Sequence, residues 1–494
     1  MKESNIKKFI KLCIFLVILG LFWEGFEFVL AKRNDGNWYG GGITRSYEKK
    51  NYYDVVFAGT SMVLANINVE ELYLKYGIAG VTTGEPEQPV YLSYYTLEEV
   101  LKYQNPQAVF FDVRAMFYSD ELIRNRINMD ENLYAHYTID QMKNNRTKYD
   151  AYKAEREIAG DINIWDYFSK MYYNHSNWES IKKNNFQNKL EVINRINGNT
   201  TLFDIAENLE RNTEIQDINN DGDKEEISDF NWKYFFKIVQ LCKNKDIDLV
   251  LLRGHTESEW TWSQYNTIAK IATEYELDYI DINLCEKKID FDWSTDSADG
   301  GHLNIIGAKK WTDYIGKYIK DKYNIDDHRN DSKYNEFIEQ EEKYYTIMNA
   351  VQTKVDFLKK VTFEQYISEL QENDLNNNRV YIIANREVFD KLKDDIKNKL
   401  YDEKYIKSIK NSDELNGEEE NGLCYLDKDT VEINSKQSEL NENSVNIIVF
   451  NTYINQIISS VYFDFSGSDN PSTCRIIKGK YNEVEKEINK WVRL

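Results

Sequence analysis

The sequence predicts an α/β protein. Its core is a doubly wound parallel sheet, joined by a helical insertion, a second small α/β domain and one apolar helix at the front. Three observations carry this reading. Short apolar runs alternate with helix-like stretches from Tyr52 to Ile319, and parallel strands covered on both faces read as such continuous runs. The alternation stops between Met116 and about Phe230, then resumes. A strand-and-helix pattern returns after Thr362, beyond a charged stretch.

At the amino terminus, Lys7, Lys8 and Lys11 precede an uncharged run from Leu12 to Trp23, and Glu24 and Glu27 follow among further apolar residues. The uncharged part is shorter than the roughly 20 residues of a span. Lys11 can snorkel at one end, however, and the two glutamates can sit in the opposite interface. Residues 1–34 therefore read as a signal anchor, with a cleaved signal peptide as the alternative. Lysines ahead of the segment predict a single-pass protein of the cell membrane whose body is extracytoplasmic.

After a glycine-rich linker, residues 35–330 form the main domain. Strand-like runs are Val55–Ala58, Gly80–Thr83, Ala108–Asp112, Leu249–Leu252 and Tyr279–Ile282. Helix-like stretches are Val69–Lys75, Tyr91–Tyr103, Trp232–Cys242, Tyr265–Tyr275 and Ile305–Ile319. This order fits a flavodoxin-like domain, which binds its ligands outside the carboxyl ends of the strands. The insertion, about 116–230, is charged and aromatic ("WDYFSKMYYNHSNW") and reads as mostly helical. Long additions at that edge shape substrate sites. Residues 331–361 read as a connector helix and 362–494 as a small accessory domain, in which no acids, histidines or glycines gather as in an active site.

Composition narrows the partners. In 494 residues, 41% hydrophobic and 14% aromatic content support a folded core. The formal net charge of −21 repels phosphate backbones, so no nucleic acid is expected. The five cysteines include no Cys-x-x-Cys pair, which leaves neither a metal cluster nor a disulfide framework indicated. The 36 tyrosines suit a carbohydrate or partner surface as well as a tyrosine-rich core.

Two short motifs carry chemistry. The run Val55–Ala58 drives into Gly59-Thr60-Ser61, which is either a strand-to-helix turn with a cap or a nucleophilic serine at the carboxyl edge. Serine needs a base within hydrogen-bond reach. Of the five histidines, His302 lies in "DSADGGHLNIIGAKKW", three residues after Asp299 in a glycine-softened loop. An aspartate so placed can fold back, fix the imidazole tautomer and stabilise imidazolium. That loop follows the strand ending at Ile282, so it reaches the same edge as Ser61. His302 read as a structural histidine is the plainer alternative. His255, in "LLRGHTESEW", is a pocket residue or part of a solvated loop, and His136, His175 and His328 read as surface histidines. "DINNDGDKEEISD" spaces Asp217, Asn219, Asp221 and Asp223 at alternate positions with Gly222 sixth, as in a calcium loop. Its twelfth position is Ser228 rather than glutamate, so bound calcium and an acidic surface turn both stand. No other cofactor is required.

"DVVFAGTS", followed far downstream by "DGGHLNIIGAKK", resembles the SGNH (GDSL-type) hydrolase superfamily. With "GVTTGEPEQPVYLSYYTLEEVLKYQNPQAVFFDVRAMF", the chain looks more narrowly like the membrane-anchored branch that includes DltD and the alginate O-acetylation proteins. The likeness covers Tyr52–Arg114 and Phe230–Ile319. It implies Ser61 as nucleophile, His302 as general base then acid, and Asp299 as the orienting partner. The backbone N–H groups of Ser61 and Gly84 would form the oxyanion hole. The superfamily's Gly-x-Asn block is missing after the strand ending at Asp112, and Arg114 or Gln88 would be the substitute donor or substrate contact. The implied activity is O-acyl transfer, acetyl or D-alanyl in type, to a cell-envelope glycan during polysaccharide or teichoic-acid modification. A membrane-bound O-acyltransferase is the implied partner. An esterase removing such groups and a non-catalytic glycan-binding scaffold are the alternatives.

Overall fold

The computed structural model describes residues 2–30, 42–128, 141–168, 222–254, 260–372 without 293 and 300, 378–401, 404–410, 430–452, 456–467 and 474–479, with short pieces such as 138–139, 195–196 and 423–426 between them. At the front, α1 (Lys2–Leu30) contains a 20-residue apolar stretch, Lys7–Phe26, of mean hydropathy 2.1 and with none of it buried. It is long and apolar enough to cross a membrane, and a signal sequence would meet the same description.

The main body is a five-stranded parallel sheet of β1 (Val55–Ala58), β2 (Gly80–Thr82), β3 (Ala108–Asp112), β4 (Asp248–Arg253) and β5 (Asp278–Asp281), in the order β2-β1-β3-β4-β5. Every residue of β1 and β3 is buried. Such strands can be only apolar along most of their length, which is why their runs were legible. The winding reverses between β1 and β3, the kind of position at which open α/β sheets bind their ligands.

The helices between strands are α2 (Ser61–Asn66), α3 (Val69–Tyr76), α4 (Val90–Val100), α7 (Asp229–Asn244), α8 (Trp262–Tyr275) and α10 (Ile305–Lys322). Between Tyr275 and Ile305 lie β5, the short helix α9 (Ile282–Ile289) and a hairpin of β6 (Ser297–Asp299) and β7 (His302–Leu303). The last residue of the expected fifth strand, Ile282, opens α9 instead, because Asp281 Oδ1 accepts from the Asn283 backbone N–H at 2.9 Å and turns the chain.

The described part of the insertion is mostly helical, with α5 (Asp120–Asn128), α6 (Asn145–Ala159) and the short turn Trp165–Phe168, and it adds one small antiparallel pairing of Arg195–Ile196 with Asn199–Thr200. Next come α11 (Asn335–Leu358) and a separate unit opened by α12 (Phe363–Glu372). That unit has a five-stranded sheet with one parallel and three antiparallel pairings, and a four-stranded antiparallel sheet from Glu419 to Glu439. Each of its sheet faces has an apolar cluster, one around Phe363, Ile382 and Phe463 and the other around Tyr381, Tyr425 and Ile448.

Candidate functional site

Register brings the ends of β1, β2 and β3 together. Ala58 pairs with Phe111 and Phe57 with Thr82, so Gly59 runs on beside Asp112. Gly59 sits at φ +138, where side chains are strained, and a Cβ there would lie 2.6 Å from Asp112 Cβ. Glycine ends this strand because only glycine fits the turn. Thr60 then caps α2, its hydroxyl oxygen accepting from Met62 N–H at 3.3 Å, and Ser61 becomes the first residue of the helix. The capped turn and the placement of Ser61 at the carboxyl edge are therefore one arrangement rather than rivals.

Asp112 holds this turn from the neighbouring strand. Its fully buried carboxylate accepts from Thr60 N–H at 3.3 Å, from the Thr60 hydroxyl, and from Arg114 N–H at 3.2 Å. Buried charge is tolerated only when so satisfied. The sequence reading missed this residue. An acid closing an otherwise apolar strand at the carboxyl edge was the available signal.

The histidine arrives on the β6–β7 hairpin. Asp299 Oδ1 accepts from the backbone N–H groups of Gly301 (2.9 Å) and His302 (2.7 Å), which closes the turn. The same carboxylate lies 3.0 and 3.1 Å from His302 Nδ1. A carboxylate accepts only, so Nδ1 is the donor to it, and in the neutral imidazole Nε2 is then the acceptor. Nε2 lies 2.9 Å from Ser61 Oγ. Partial burial pushes the Asp299 carboxyl up, but the imidazole and the two backbone donors outweigh it and hold the group below the usual aspartate range. Ser61 is buried at 4% exposure, whereas the Asp299 side chain is half exposed, so the array opens to solvent on its aspartate side.

Two asparagines lock the hairpin to the sheet. Asn66, at the end of α2, accepts from Leu303 N–H at 2.9 Å. Buried Asn304 caps α10 by accepting from Ile306 and Gly307 N–H, while its amide donates to the carbonyls of Thr295 and Ser297. The Leu-Asn that follows His302 is thus a positioning device for the imidazole.

Gly84 stands flush against the serine turn. A Cβ there would lie 2.5 Å from the Thr60 carbonyl oxygen. Its neighbours are spent on the turn, with Thr83 N–H donating to Phe57 at 2.7 Å and Glu85 N–H to Gly59 at 3.4 Å. The remaining candidates fall elsewhere. Gln88 is buried and donates to Ser93 Oγ, in the first turn of α4, at 3.0 Å. The Arg114 backbone N–H is engaged by Asp112, so neither residue is shown to replace the missing asparagine donor. His255 lies outside the described residues, as do Asp217, Asn219 and Asp221; the Asp223 backbone carbonyl accepts from Asn266 at 3.2 Å. Among the described residues no group of three or more His, Cys, Asp or Glu side chains could hold a metal. His328, read as a surface histidine, is instead mostly buried, 3.1 Å from Asp54 and stacked on Tyr334.

No protein-family model matches this chain, and no curated protein is similar to it at a significant level.

Proposed function

We propose that this chain is a membrane-tethered, extracytoplasmic SGNH-like protein that transfers an acyl group to a cell-envelope glycan through an acyl-Ser61 intermediate. One observation carries the reading: Ser61 Oγ, His302 Nε2, His302 Nδ1 and Asp299 form a continuous hydrogen-bonded relay at the carboxyl edge of the sheet. The strand order β2-β1-β3-β4-β5 supports a flavodoxin-like frame, whose switch point lies beside that relay.

The chemistry follows from the geometry. Ser61 Oγ attacks the carbonyl carbon of an ester and gives its proton to His302 Nε2. Asp299 stabilises the resulting imidazolium. The tetrahedral oxyanion is held by the N–H groups of Ser61 and Gly84, where one such donor is worth about 10²–10³ in rate. The carbon–oxygen bond to the departing alcohol breaks, and that oxygen takes the proton from His302. An acceptor hydroxyl then attacks acyl-Ser61, passing its own proton to His302, which returns it to Ser61 Oγ as the acyl–Oγ bond breaks. A glycan hydroxyl makes the product an acylated glycan; water makes the same steps an esterase. A membrane-bound O-acyltransferase would supply the acyl group.

The test is intact mass with peptide mapping after treatment of the full chain with a fluorophosphonate. A single adduct on Ser61, lost in His302→Ala, is expected. An unlabelled Ser61 would sink the enzymatic reading and leave a glycan-binding scaffold in its place.

A further inference from the structure

Outside α1, eleven large apolar side chains are more than a third exposed among the described residues, and six of the eleven lie between Tyr149 and Ile181 of the insertion. Four of these six form one patch. Tyr149, on α6, meets Phe168 with ring centroids 6.4 Å apart, and Ile164 and Trp165 open the turn that ends in Phe168. Trp165 is 61% exposed and Tyr149 44%.

The patch is held outward. Tyr167, between Trp165 and Phe168, is buried with its ring 5.3 Å from that of Tyr152, and the Tyr152 hydroxyl donates to the Ile162 carbonyl at 3.1 Å. One face of the turn is thus fixed in the core, which leaves Trp165 and Phe168, three positions apart, on the other. Apolar rings gathered on a surface in this way mark an interaction site.

The charges around it suit a lipid headgroup layer. Six basic and six acidic residues lie between Lys143 and Glu179, so this stretch is neutral in a chain of net charge −21 and is spared the repulsion that anionic lipid exerts on the rest. At the rim, Arg146 and Lys153 share one acid, Asp150, at 3.9 and 2.6 Å, and Lys153 also reaches over the Tyr149 ring at 5.0 Å. Glu157 is paired with Lys233 and Asp161 with Arg156. Asp166 lies within the turn, where partial burial pushes its carboxyl up.

The rest of the chain brings a bilayer to this patch. The apolar stretch of α1 ends at Phe26 with none of it buried, whereas Leu30, about 6 Å further along the helix, is buried, so protein covers the helix end. The next described segment opens at Gly42, a contour of at most about 40 Å later. Tyr47 then meets the head of α6, its hydroxyl donating to the Gln141 carbonyl at 3.0 Å and accepting from Lys143 N–H at 3.1 Å. Tyr149 stands about 9 Å further along that helix. Tyrosine and tryptophan, with apolar rings and polar tips, are the side chains that settle at headgroup level.

Building on the membrane tether proposed above, we infer that this patch is a second point of attachment: Tyr149, Ile164, Trp165 and Phe168 enter the headgroup region of the bilayer that α1 crosses. Such rings lie about 5–10 Å into the boundary between headgroups and acyl chains, and they would fix how the body sits on the membrane.

The experiment uses the full chain reconstituted into vesicles of phosphatidylcholine and phosphatidylglycerol. Subtracting the tryptophan emission of Trp165→Phe from that of the wild type isolates residue 165; the same subtraction with Trp262→Phe isolates a ring of α8 as control. In vesicles whose lipids are brominated on the upper acyl chain, the residue-165 emission is expected to fall by about half or more, as contact at that depth requires, and the control to stay unchanged. Phe168→Asp should undo most of this quenching and leave the melting temperature within about 3 °C, since it changes an exposed ring. Residue-165 emission that ignores bromine overturns the proposal and hands the patch to a protein partner. Quenching that Phe168→Asp leaves intact overturns it as well. Alkaline carbonate extraction scores the tether separately. A chain that stays with the vesicles without quenching rejects the docking surface alone, and a chain that is quenched yet washes off rejects the tether alone.

Discussion

Glu155 offers the sharpest physical test of how the insertion is built onto the sheet. It lies on α6, fully buried, and its Oε1 accepts from the Tyr91 hydroxyl at 2.8 Å. Tyr91 lies in the first turn of α4 and is itself fully buried. Burial pushes the Glu155 carboxyl from the ordinary 4.5 up to about 7, even though hydrogen bonds from Tyr167 and Tyr91 pull the other way. At 1.36 kcal/mol per tenfold, that difference is worth about 3 kcal/mol. The sign is fixed by linkage. Below about pH 4.5 both folded and unfolded chains carry the proton, and Glu155 costs nothing. Between about 4.5 and 7 only the unfolded chain releases it, so stability falls as pH rises. Above about 7 both are ionised and the full cost remains. Glu155→Gln keeps an acceptor for Tyr91 and has no charge to bury. Denaturant unfolding of variant and wild type should therefore agree near pH 5 to within about 1 kcal/mol and diverge near pH 8 by up to about 3 kcal/mol in the variant's favour. A variant less stable at pH 8, or a difference that does not grow between the two pH values, would refute the reasoning.

Two further outcomes follow from the relay and its turn. Asp299→Asn should leave the fold intact but lower the rate of fluorophosphonate labelling at Ser61 by about 10³–10⁴-fold, since an amide can orient the imidazole in the wrong tautomer; labelling within about tenfold of wild type would remove Asp299 from the relay. Gly84→Ala drives a methyl group into the Thr60 carbonyl oxygen, so it should cost about 1–3 kcal/mol by denaturant unfolding and displace the Gly84 N–H; an unchanged midpoint with unchanged labelling would show that this close approach is not required.

The parts of the fold legible in the sequence are those that apolar burial dictates. β1 and β3 were readable to the residue because both their faces are covered, and α10 because Asn304 caps it just before its apolar face begins. The Ser61, His302 and Asp299 set could be singled out because Asp299 and His302 flank Gly300-Gly301 and Ser61 follows Gly59 by two residues, at the end of an apolar run. Their meeting could not be read from spacing, since it depends on Asn66 and Asn304 seating a hairpin whose sequence, "SADGGHL", has no apolar alternation. The hairpin is shaped by the carboxylate of Asp299 instead. Asp112 was missed for a related reason: an acid closing an apolar strand hints at a role, but its partner, the Thr60 turn, is set by the register of β1 on β3.

The bond between Ser61 and His302 also sets a timetable. It joins residues 241 positions apart, and contacts of such sequence separation are among the last to reward a folding chain. While the chain is being made from its amino terminus, the serine emerges long before its base. A half-finished or unfolded molecule therefore carries an ordinary alcohol, inert toward the esters around it. If Ser61 acts as proposed, its reactivity is switched on only when the domain is complete.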